Sequence, residues 1–530
     1  MVGIILAALG LFSALCVFRF GLALAPRGPR RTSLLLAAGG IGLLAFGCRL
    51  ALAEGNISWA PYLDQWNVEI LGVVSPLAHG TLGWRDLVAG NNEHRVLLTR
   101  SLSLATIIAN GAWDNRVLVI ANYLLQSLMV AWVSALAWGF LGWARGSFVA
   151  AAALLPMLLV CGWEGMTSSN QAQFVLMAFG SVVAFLLHRG HSLKSPAAWG
   201  SLAAALLTLG SMASGFLTPL TLVATALLMA LAAGQAVRPV AGYCAACAAL
   251  VALGWLTRSH FTALHGLYAG SAGGWLDAFL AYAAWPLPPN VAGFLGLWFP
   301  WGALLWRAIR RRQMESLAPF ALGLGLWVLL QAGALAWARS GLSGLVSSRY
   351  TEFLGWGLVA NAASLVLVLG GRGAAGASRL VPRAVMAVWL AGVGGSEIWR
   401  SQVVYRPYFQ SYRSQTLEQE QRLGTFLRTG DTSFIEGASF PHIPHYSPGL
   451  IVSLLGDPKV QPLLPGPLRR DLVRDRDPAL LPAIQDGPLS FAAVRALHDG
   501  PWFAGAGIAL LLAALYFARQ PDPEQRADPG

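Results

Sequence analysis

The sequence predicts an all-α polytopic membrane protein. We expect a bundle of about 13 transmembrane helices, interfacial helices in the first large outer loop and a small helical periplasmic cap. Of 530 residues, 56% are hydrophobic and only 11% are charged, and the mean hydropathy is +0.58. Ordinary soluble chains carry far less apolar sequence. Arginines also punctuate the apolar segments, as orientation signals do in membrane proteins.

Apolar segments long enough to cross a bilayer recur along the whole chain. A helix needs about 20 predominantly apolar residues to span the hydrocarbon core. The first segment has no basic start, so it is predicted to be a retained span rather than a signal peptide. The predicted spans are 1–25, 32–53, 117–142, 148–162, 172–188, 197–213, 216–234, 239–257, 288–308, 317–338, 352–370, 383–398 and 503–518.

The connections between these segments alternate between two kinds. One kind is short and carries arginine, and the positive-inside rule assigns it to the cytoplasm. The other kind is longer and mixed, and forms the outer face: Trp59–Arg116, Cys161–Gln173, Arg258–Pro289, Ala338–Tyr350 and Glu397–Pro501. This pattern predicts an N-terminus outside and a C-terminus in the cytoplasm. Only two of the 36 basic residues are lysines, a bias that indicates a bacterial genome and hence the bacterial inner (plasma) membrane.

The predicted domains follow from these spans. A transmembrane domain covers 1–398 and includes a polar outer loop at 55–116. A small periplasmic helical domain covers 399–500, with helices expected at 417–428 and 450–455. A final transmembrane helix covers 501–519, and a Pro- and charge-rich tail at 520–530 is expected to be disordered and cytoplasmic. The five cysteines all fall in apolar segments, where small packing residues are the expected interpretation.

The polar residues gather in one stretch, Trp59 to Arg100. Ionisable groups beside hydrocarbon are costly, so such a stretch marks a candidate functional site. Two helices are predicted within it. One follows Pro61, because apolar residues recur after it at helical spacing. The other runs over about 92–108 and would place Glu93 and Arg100 on one face.

Asp64 is the strongest candidate for a general base in this stretch. It follows the end of a span and lies between Tyr62 and Trp66, where partial desolvation would raise the pKa of a carboxyl group. The alternative is a helix cap or an interfacial acid.

Glu93 and His94 are the other candidate catalytic residues. They would complete a metal site with Asp64 or hydrogen-bond an acceptor sugar. Adjacent residues point about 100° apart on a helix, which disfavours joint metal ligation and makes a hydrogen-bond network an equal alternative. A third possibility is a polar helix cap.

Arg349 stands where an outer loop enters a span, and would neutralise a lipid phosphate with help from Tyr350. Arg95 and Arg100 are further candidates for binding that phosphate. The alternative for Arg349 is an interfacial anchor paired with Glu352.

Further polar residues of the outer loops are candidates for sugar contact. These are Gln65, Glu69, Asn92, Glu164 and Gln173. His442 and His445, in the late outer segment, are predicted to be turn residues.

The layout resembles the GT-C superfamily of polytopic glycosyltransferases. The segments Tyr62–Trp66 and Asn91–Arg95 are also similar to those of a little-characterised group of bacterial membrane proteins. The resemblance implies a polyprenyl-phosphate sugar donor and an essential aspartate near the start of the first large outer loop. Two departures stand out. The loop follows the second span rather than the first, and Asp64 lacks the paired acidic residue of several branches, which leaves a requirement for Mg²⁺ or Mn²⁺ open.

Together these features predict a glycosyltransferase of cell-envelope polysaccharide biosynthesis. It would move a sugar from the polyprenyl-phosphate donor to a glycan or lipid acceptor at the periplasmic face, with Asp64 as general base. Its partners would be these substrates and membrane lipids. Nucleic acid is not expected, because the arginines form no basic face or arm. The alternatives are a flippase or transporter of a lipid-linked glycan, and an O-antigen-type polymerase or ligase.

Overall fold

The structure, a computed structural model, describes residues 29–188, 193–232, 238–259, 266–311, 314, 317–341, 346–370, 380–475 and 477–519. Within these ranges the chain is almost entirely helical, and its sheet is one hairpin of two-residue strands. The prediction of an all-α membrane protein is therefore confirmed. The predicted first span, 1–25, and the predicted tail, 520–530, lie outside the described residues.

Eight of the described helices are long and apolar enough to cross a membrane. They are Arg31–Ala53, Asn115–Leu141, Ser169–Leu187, Ala213–Ala232, Arg238–Leu256, Ala318–Arg339, Ser348–Leu369 and Gly500–Ala518. The bent pair Trp143–Leu158 and Val160–Thr167, with an angle of 46° between its halves, would make a ninth. The predicted number of 13 is thus not confirmed.

Three predicted spans form helices that fall short by length or composition. Pro196–Leu209 has only 14 residues. Val291–Arg311 has 21 residues, but it contains Pro300 and ends on two arginines. Leu380–Trp399 has 20 residues and includes Glu397. Apolar periodicity located these helices, but it did not show where hydrogen bonding ends each one.

The remaining elements complete the chain between and beyond these helices. In the first outer loop they are Trp66–Val74, Ser75–Ala78, Trp84–Val88, Gly90–Asn91, His94–Arg95 and Leu97–Asn110. In the membrane part they include Trp143–Leu154, Trp163–Thr167, Ala172–Leu187, Leu217–Ala232, Ala272–Ala283, Ser348–Leu354 and Trp356–Leu369. Beyond residue 399 they are Arg400–Tyr405, Arg406–Thr429, Ser433–Glu436, Pro448–Gly456, Gln461–Leu463, Gly466–Arg474, Pro478–Ala483, Pro488–His498 and Gly500–Arg519.

The first outer loop and the cap share one hydrophobic core. Trp66 and Ile70 from the loop pack with Leu423, Ile451 and Leu455 from the cap. Two backbone hydrogen bonds join the same parts, from Leu63 N to Pro444 O at 2.7 Å and from Trp113 N to Leu463 O at 2.9 Å. The predicted boundary at residue 399 also falls inside an unbroken helical stretch from residue 380 to 429. The cap therefore holds the loop that carries Asp64.

The first and last described helices pack closely through glycine. A Cβ on Gly40 would lie 2.8 Å from Gly507 O, and one on Gly47 would lie 2.6 Å from Gly500 O. Small residues at such positions let helix backbones approach closely inside a membrane. This packing joins helix Gly500–Arg519 to the first described helix, Pro29–Ala53.

A Gly47→Leu variant is expected to separate these two helices. The added side chain meets backbone rather than flexible side chains, so the expected loss is about 1–3 kcal/mol of unfolding free energy or more. Thermal unfolding in detergent measures it. Gly139→Leu is the matched control, because a Cβ at Gly139 meets nothing within 4 Å. Equal unfolding temperatures for the two variants would contradict the prediction.

Candidate functional site

The backbone around Asp64 adopts a strained turn before its helix begins. Leu63 has φ +47°, a value that L-residues with large side chains rarely adopt. The turn is held because Leu63 N donates to Pro444 O and the Gln65 side chain accepts from Tyr62 N at 2.7 Å. Asp64 follows this turn and is half-buried. The cap therefore decides where its carboxylate points.

A fully buried polar network lies directly behind Asp64. Gln65 donates to Asn115 Oδ1 at 2.7 Å and also to the Ser169 hydroxyl. Ser169 donates to Glu69 Oε1 at 2.6 Å, and Trp113 donates to Glu69 Oε2 at 2.6 Å. The Gln65 and Glu69 side chains, predicted to contact a sugar, are instead enclosed. They join the loop to the bundle, and a sugar would have to open this network to reach them.

Burial raises the pKa of Glu69 from its ordinary 4.5 to about 7, against the opposing effect of its hydrogen bonds. The folded protein therefore keeps a proton that the unfolded chain releases between those values. The contribution of Glu69 to the free energy of unfolding should be fully present below pH 4.5. It should be lost as the pH rises to about 7, by on the order of 3 kcal/mol. Above a pH of about 7, Glu69 should cause no further change in the free energy of unfolding.

Thermal unfolding from pH 4.5 to 8 checks this dependence. Glu69→Gln should remove most of the fall, since its amide cannot ionise. Glu436→Gln, at an exposed position, should keep the wild-type dependence. A Glu69→Gln variant with an unchanged pH dependence would assign the effect to another group.

Three predicted outer segments meet in one cleft beside this network. It opens to solvent, and the space within and in front of it amounts to about 320 Å³. Asp64, Glu164 and Arg349 line it together, each from a different segment. The other lining residues are Tyr62, Leu63, Trp163, Thr167, Ser168, Asn170 and Gln171. The structure therefore brings the candidate base and the candidate phosphate-binding arginine into one site.

Glu164 positions Arg349 in this cleft. Its Oε2 accepts from Ser347 Oγ at 2.8 Å, Ser348 Oγ at 2.7 Å and Arg349 N at 3.1 Å. It thereby caps the N-terminus of helix Ser348–Leu354, where a negative charge is favoured. Its Oε1 lies 3.6 Å from Arg349 Nη1. Glu164 was predicted to contact a sugar. In the structure its two carboxylate oxygens contact Arg349 and the two serines that precede it.

Glu93 and His94 lie on a hairpin and not on a helix as predicted. Asn91 pairs with His94, and Asn92 in the turn has φ +52°. Asparagine tolerates this conformation, which makes a two-residue turn possible. The following helix begins only at Leu97. Asn92 is half-buried at this turn and does not line the cleft.

Arg339 is a site residue that sequence reasoning missed. Its guanidinium forms an ion pair with Glu93 Oε1, and both side chains are largely buried. Its position in the sequence could have identified it, because it ends helix Ala318–Arg339 at the start of the predicted outer loop that holds Arg349. Burial opposes ionisation of Glu93, but His94 and Arg339 still hold its pKa below the ordinary value.

The His94 ring lies beside this ion pair. Burial lowers its pKa, and the nearby Glu93 carboxylate only partly offsets this effect. Its Nδ1 accepts from Ala213 N at 3.4 Å, so Nε2 carries the hydrogen and faces Glu93 Oε1 at 3.7 Å. Asp64 and Arg349 also act electrostatically on this ring. The hairpin therefore lies within electrostatic range of the cleft.

His445 lies in a bend of the cap, as its prediction as a turn residue requires, and it also lies within electrostatic range of Asp64. It is hydrogen bonded to Asn67 at 3.1 Å and accepts from Ser447 N at 3.1 Å. Burial lowers its pKa, and the Asp64 carboxylate opposes this effect. His442, by contrast, pairs with exposed Glu418. No local pattern separates the two histidines, because only the fold of the cap directs one of them inward.

The other predicted phosphate ligands are placed differently. Arg100 donates to three backbone carbonyls, those of Val68, Asp86 and Ala89. Arg95 donates to Val88 O at 3.5 Å, and neither arginine lines the cleft. Tyr350 is buried and lies against both Arg339 and Arg349. The cationic part of the site is therefore Arg349, with Arg339 and Tyr350 behind it.

Several buried acceptor oxygens around the cleft have no partner among the described residues. They are Asn170 Oδ1, Gln171 Oε1, Gln173 Oε1 and Glu93 Oε2. Buried polar atoms are almost always hydrogen bonded in native proteins. All four are acceptors, so they suit a ligand with several hydroxyl donors. Asn170 and Gln171 line the cleft itself.

The metal-site hypothesis has no support in the arrangement of these side chains. Within the described ranges, no group of three or more His, Cys, Asp or Glu side chains could hold a metal ion. Asp64, Glu93 and His94 therefore form no joint ligand set. The sequence left a requirement for Mg²⁺ or Mn²⁺ open, and this arrangement does not test it.

Comparison with protein-family models and with curated protein sequences gave no match to this chain. The resemblance to GT-C enzymes accordingly rests on the residues themselves, and the protein belongs to the class of helical membrane proteins.

Proposed function

We propose that the protein is a membrane glycosyltransferase. It would transfer a sugar from a polyprenyl-phosphate donor to a glycan or lipid acceptor, in the inner membrane of a bacterium. One observation carries the proposal: a carboxylate, a guanidinium and acceptor oxygens without a partner among the described residues share a cleft in a protein built of membrane-length helices. The carboxylate suits a hydroxyl that must lose its proton. The guanidinium suits a phosphate, and the acceptor oxygens suit the hydroxyl groups of a sugar.

The reaction we propose is an inverting displacement. Asp64 takes the proton of an acceptor hydroxyl as its oxygen attacks the anomeric carbon of the donor. The bond from that carbon to the phosphate oxygen breaks, and the lipid phosphate leaves with the electron pair. Arg349 stabilises the negative charge that develops on the phosphate. The proton stays on Asp64 until the product leaves.

The surrounding residues supply positioning. Glu164 holds the Arg349 backbone and side chain, which reduces the reorganisation needed during the reaction. Asn170 and Gln171 offer acceptor oxygens to sugar hydroxyls. The contact of His94 with Ala213 N and the Glu93–Arg339 pair hold the neighbouring hairpin in place.

A flippase for the same class of lipid is the second candidate. It is favoured by a separate polar cavity inside the bundle, lined by Arg49, Gln126 and Glu352. Transporters place polar groups at such depths. An O-antigen-type polymerase or ligase would use the same substrate class, and His445, from a late outer segment, makes that alternative worth testing.

Purified protein in proteoliposomes tests these functions with one labelled substrate. A radiolabelled polyprenyl-phosphate sugar is supplied with a lipid or glycan acceptor, and the product is separated by chromatography. Transferase activity should give labelled acceptor, and EDTA shows whether a divalent cation is needed. Movement of intact donor across the bilayer without transfer would support the flippase instead. Neither product nor movement, over a panel of donor sugars, would overturn the proposal.

A further inference from the structure

A second polar site lies inside the helix bundle, one turn below the cleft. Glu352 follows Arg349 by three residues, about one helical turn along the same helix. Its side chain lines a small cavity together with Arg49, Gln126, Cys161 and Trp356. Charged groups inside a membrane protein are rare and usually functional. The outer cleft and this cavity have no lining residue in common.

Several polar atoms of this cavity have no hydrogen-bond partner among the described residues. Arg49 is buried and donates to Pro156 O at 3.1 Å and Leu159 O at 3.5 Å, while its Nε has no partner among the described residues. Gln126 donates to Glu352 Oε2. Gln126 Oε1 and Glu352 Oε1 are both buried without a described partner. One donor and two acceptors therefore face a space that suits a few water molecules.

Glu397 adds a second carboxylate to this region. Its side chain is fully buried, and neither of its oxygens has a hydrogen-bond partner among the described residues. Arg49 acts electrostatically on both Glu352 and Glu397. Cys161 lies between the cavity and Glu397. It lines the cavity, and its thiol donates to the backbone oxygen of Glu397 at 3.6 Å.

The other titratable groups around the site are engaged elsewhere. The Tyr123 hydroxyl donates to Met166 O, and the Tyr405 hydroxyl donates to Val346 O at 2.8 Å. The Arg400 guanidinium donates to the carbonyl oxygens of Pro286 and Leu287. Arg49 is therefore left to balance two buried carboxylates, and an uncompensated charge in that position would be very costly.

Glycines create the room that Glu352 occupies. A Cβ on Gly162 or Gly165 would collide with Glu352 Oε1. Both glycines flank Glu164, which holds Arg349 in the cleft. The inner site and the outer cleft thus share one short segment of backbone.

We propose that Glu352, which lines this cavity, and Glu397, buried beside it, together hold one exchangeable proton near Arg49. The proton makes the group electrically neutral: one carboxylate pairs with the guanidinium and the other is a neutral acid. Water in the cavity would carry the proton to and from it. A metal cation is disfavoured because Arg49 would repel it. The inference does not depend on the proposed transferase function.

A hydrophobic carbodiimide tests the proposal directly, because it modifies protonated carboxyl groups in apolar surroundings. The full chain in lipid nanodiscs is treated with dicyclohexylcarbodiimide, and peptides are quantified by mass spectrometry. We expect adducts on Glu352, Glu397 or both at neutral pH, with a yield that falls as pH rises. Absence of adducts on both residues at every pH would overturn the proposal.

Replacing a carboxylate and replacing Arg49 should change carbodiimide labelling in opposite directions. In Glu352→Gln or Glu397→Gln, the remaining carboxylate pairs with Arg49, so its labelling should fall by about tenfold or more, as a pKa shift of at least one unit would produce. In Arg49→Gln, both carboxylates should become protonated and labelled. Glu418→Gln, whose side chain is exposed on the cap, should keep the wild-type pattern.

Two further results would contradict a shared proton. Labelling that persists unchanged in both single Glu→Gln variants would show that each carboxylate holds its own proton. Protection by Na⁺ against choline at constant ionic strength would identify a metal cation as the ligand instead. Thermal unfolding of each variant checks its fold, and the two isosteric Glu→Gln variants decide the matter if Arg49→Gln does not fold.

Discussion

Replacement of Asp64 by asparagine should lower the transfer rate by about 10²–10⁴-fold, the usual contribution of a positioned general base. Asparagine keeps the size and the hydrogen-bonding reach of the side chain but cannot take the acceptor proton. Because Asp64 stands at the cleft and not in the buried network behind it, the fold should be retained. Initial rates in proteoliposomes, with donor and acceptor each saturating, measure the effect on the chemical step.

Asp86→Asn is the matched control for this substitution. Asp86 lies in the same outer loop and accepts from Gly83 N at 2.8 Å, a capping bond that asparagine also makes. Its variant should transfer at the wild-type rate. If Asp64→Asn also retained that rate, another group would have to be the base, and His445 would be the next residue to replace.

Replacement of Arg349 by alanine should lower the transfer rate by about 10²–10³-fold, as loss of a group that stabilises developing charge does. The effect should fall on kcat more than on the Michaelis constant for the donor, since the phosphate gains charge as the bond breaks. Arg349→Lys should recover part of the rate, because it restores the charge without the planar fork. Steady-state kinetics with varied donor concentration separate these effects.

Arg85→Ala is the control for a lost arginine. Arg85 is exposed in the first outer loop and lies over the ring of Trp84, away from the cleft. Its variant should show wild-type kinetics. A similar loss from Arg85→Ala would indicate that general charge near the membrane, and not a contact in the cleft, explains the effect of Arg349.

Much of the candidate site was visible in the sequence as residue types in outer loops. Asp64, Glu164 and Arg349 could be proposed because carboxylates and guanidiniums are conspicuous among apolar segments. Their separate roles could not be assigned in the same way. Glu164 caps the helix that carries Arg349, and Glu69 is enclosed by Trp113 and Ser169. Both roles depend on partners more than 40 residues away in the chain.

Local errors came from similar causes. The hairpin at Gly90–Arg95 was predicted as the start of a helix, although Gly90, Asn91 and Asn92 are residues that favour turns. Glu352 was predicted only as an alternative partner of Arg349 at the edge of its span, and Arg49 drew no prediction. Only the packing of distant helices showed that both line one cavity inside the bundle.

The sequence by itself determined that this protein is helical and built for a membrane, since apolar composition and helix length are properties of each segment alone. It also determined which residues could carry chemistry. Tertiary structure decided which of them share a cleft, which are consumed by buried hydrogen bonds, and that Arg339 and His445 join the site. The physical reason is that burial and partner choice depend on contacts between distant segments, and residue type and local spacing do not encode those contacts.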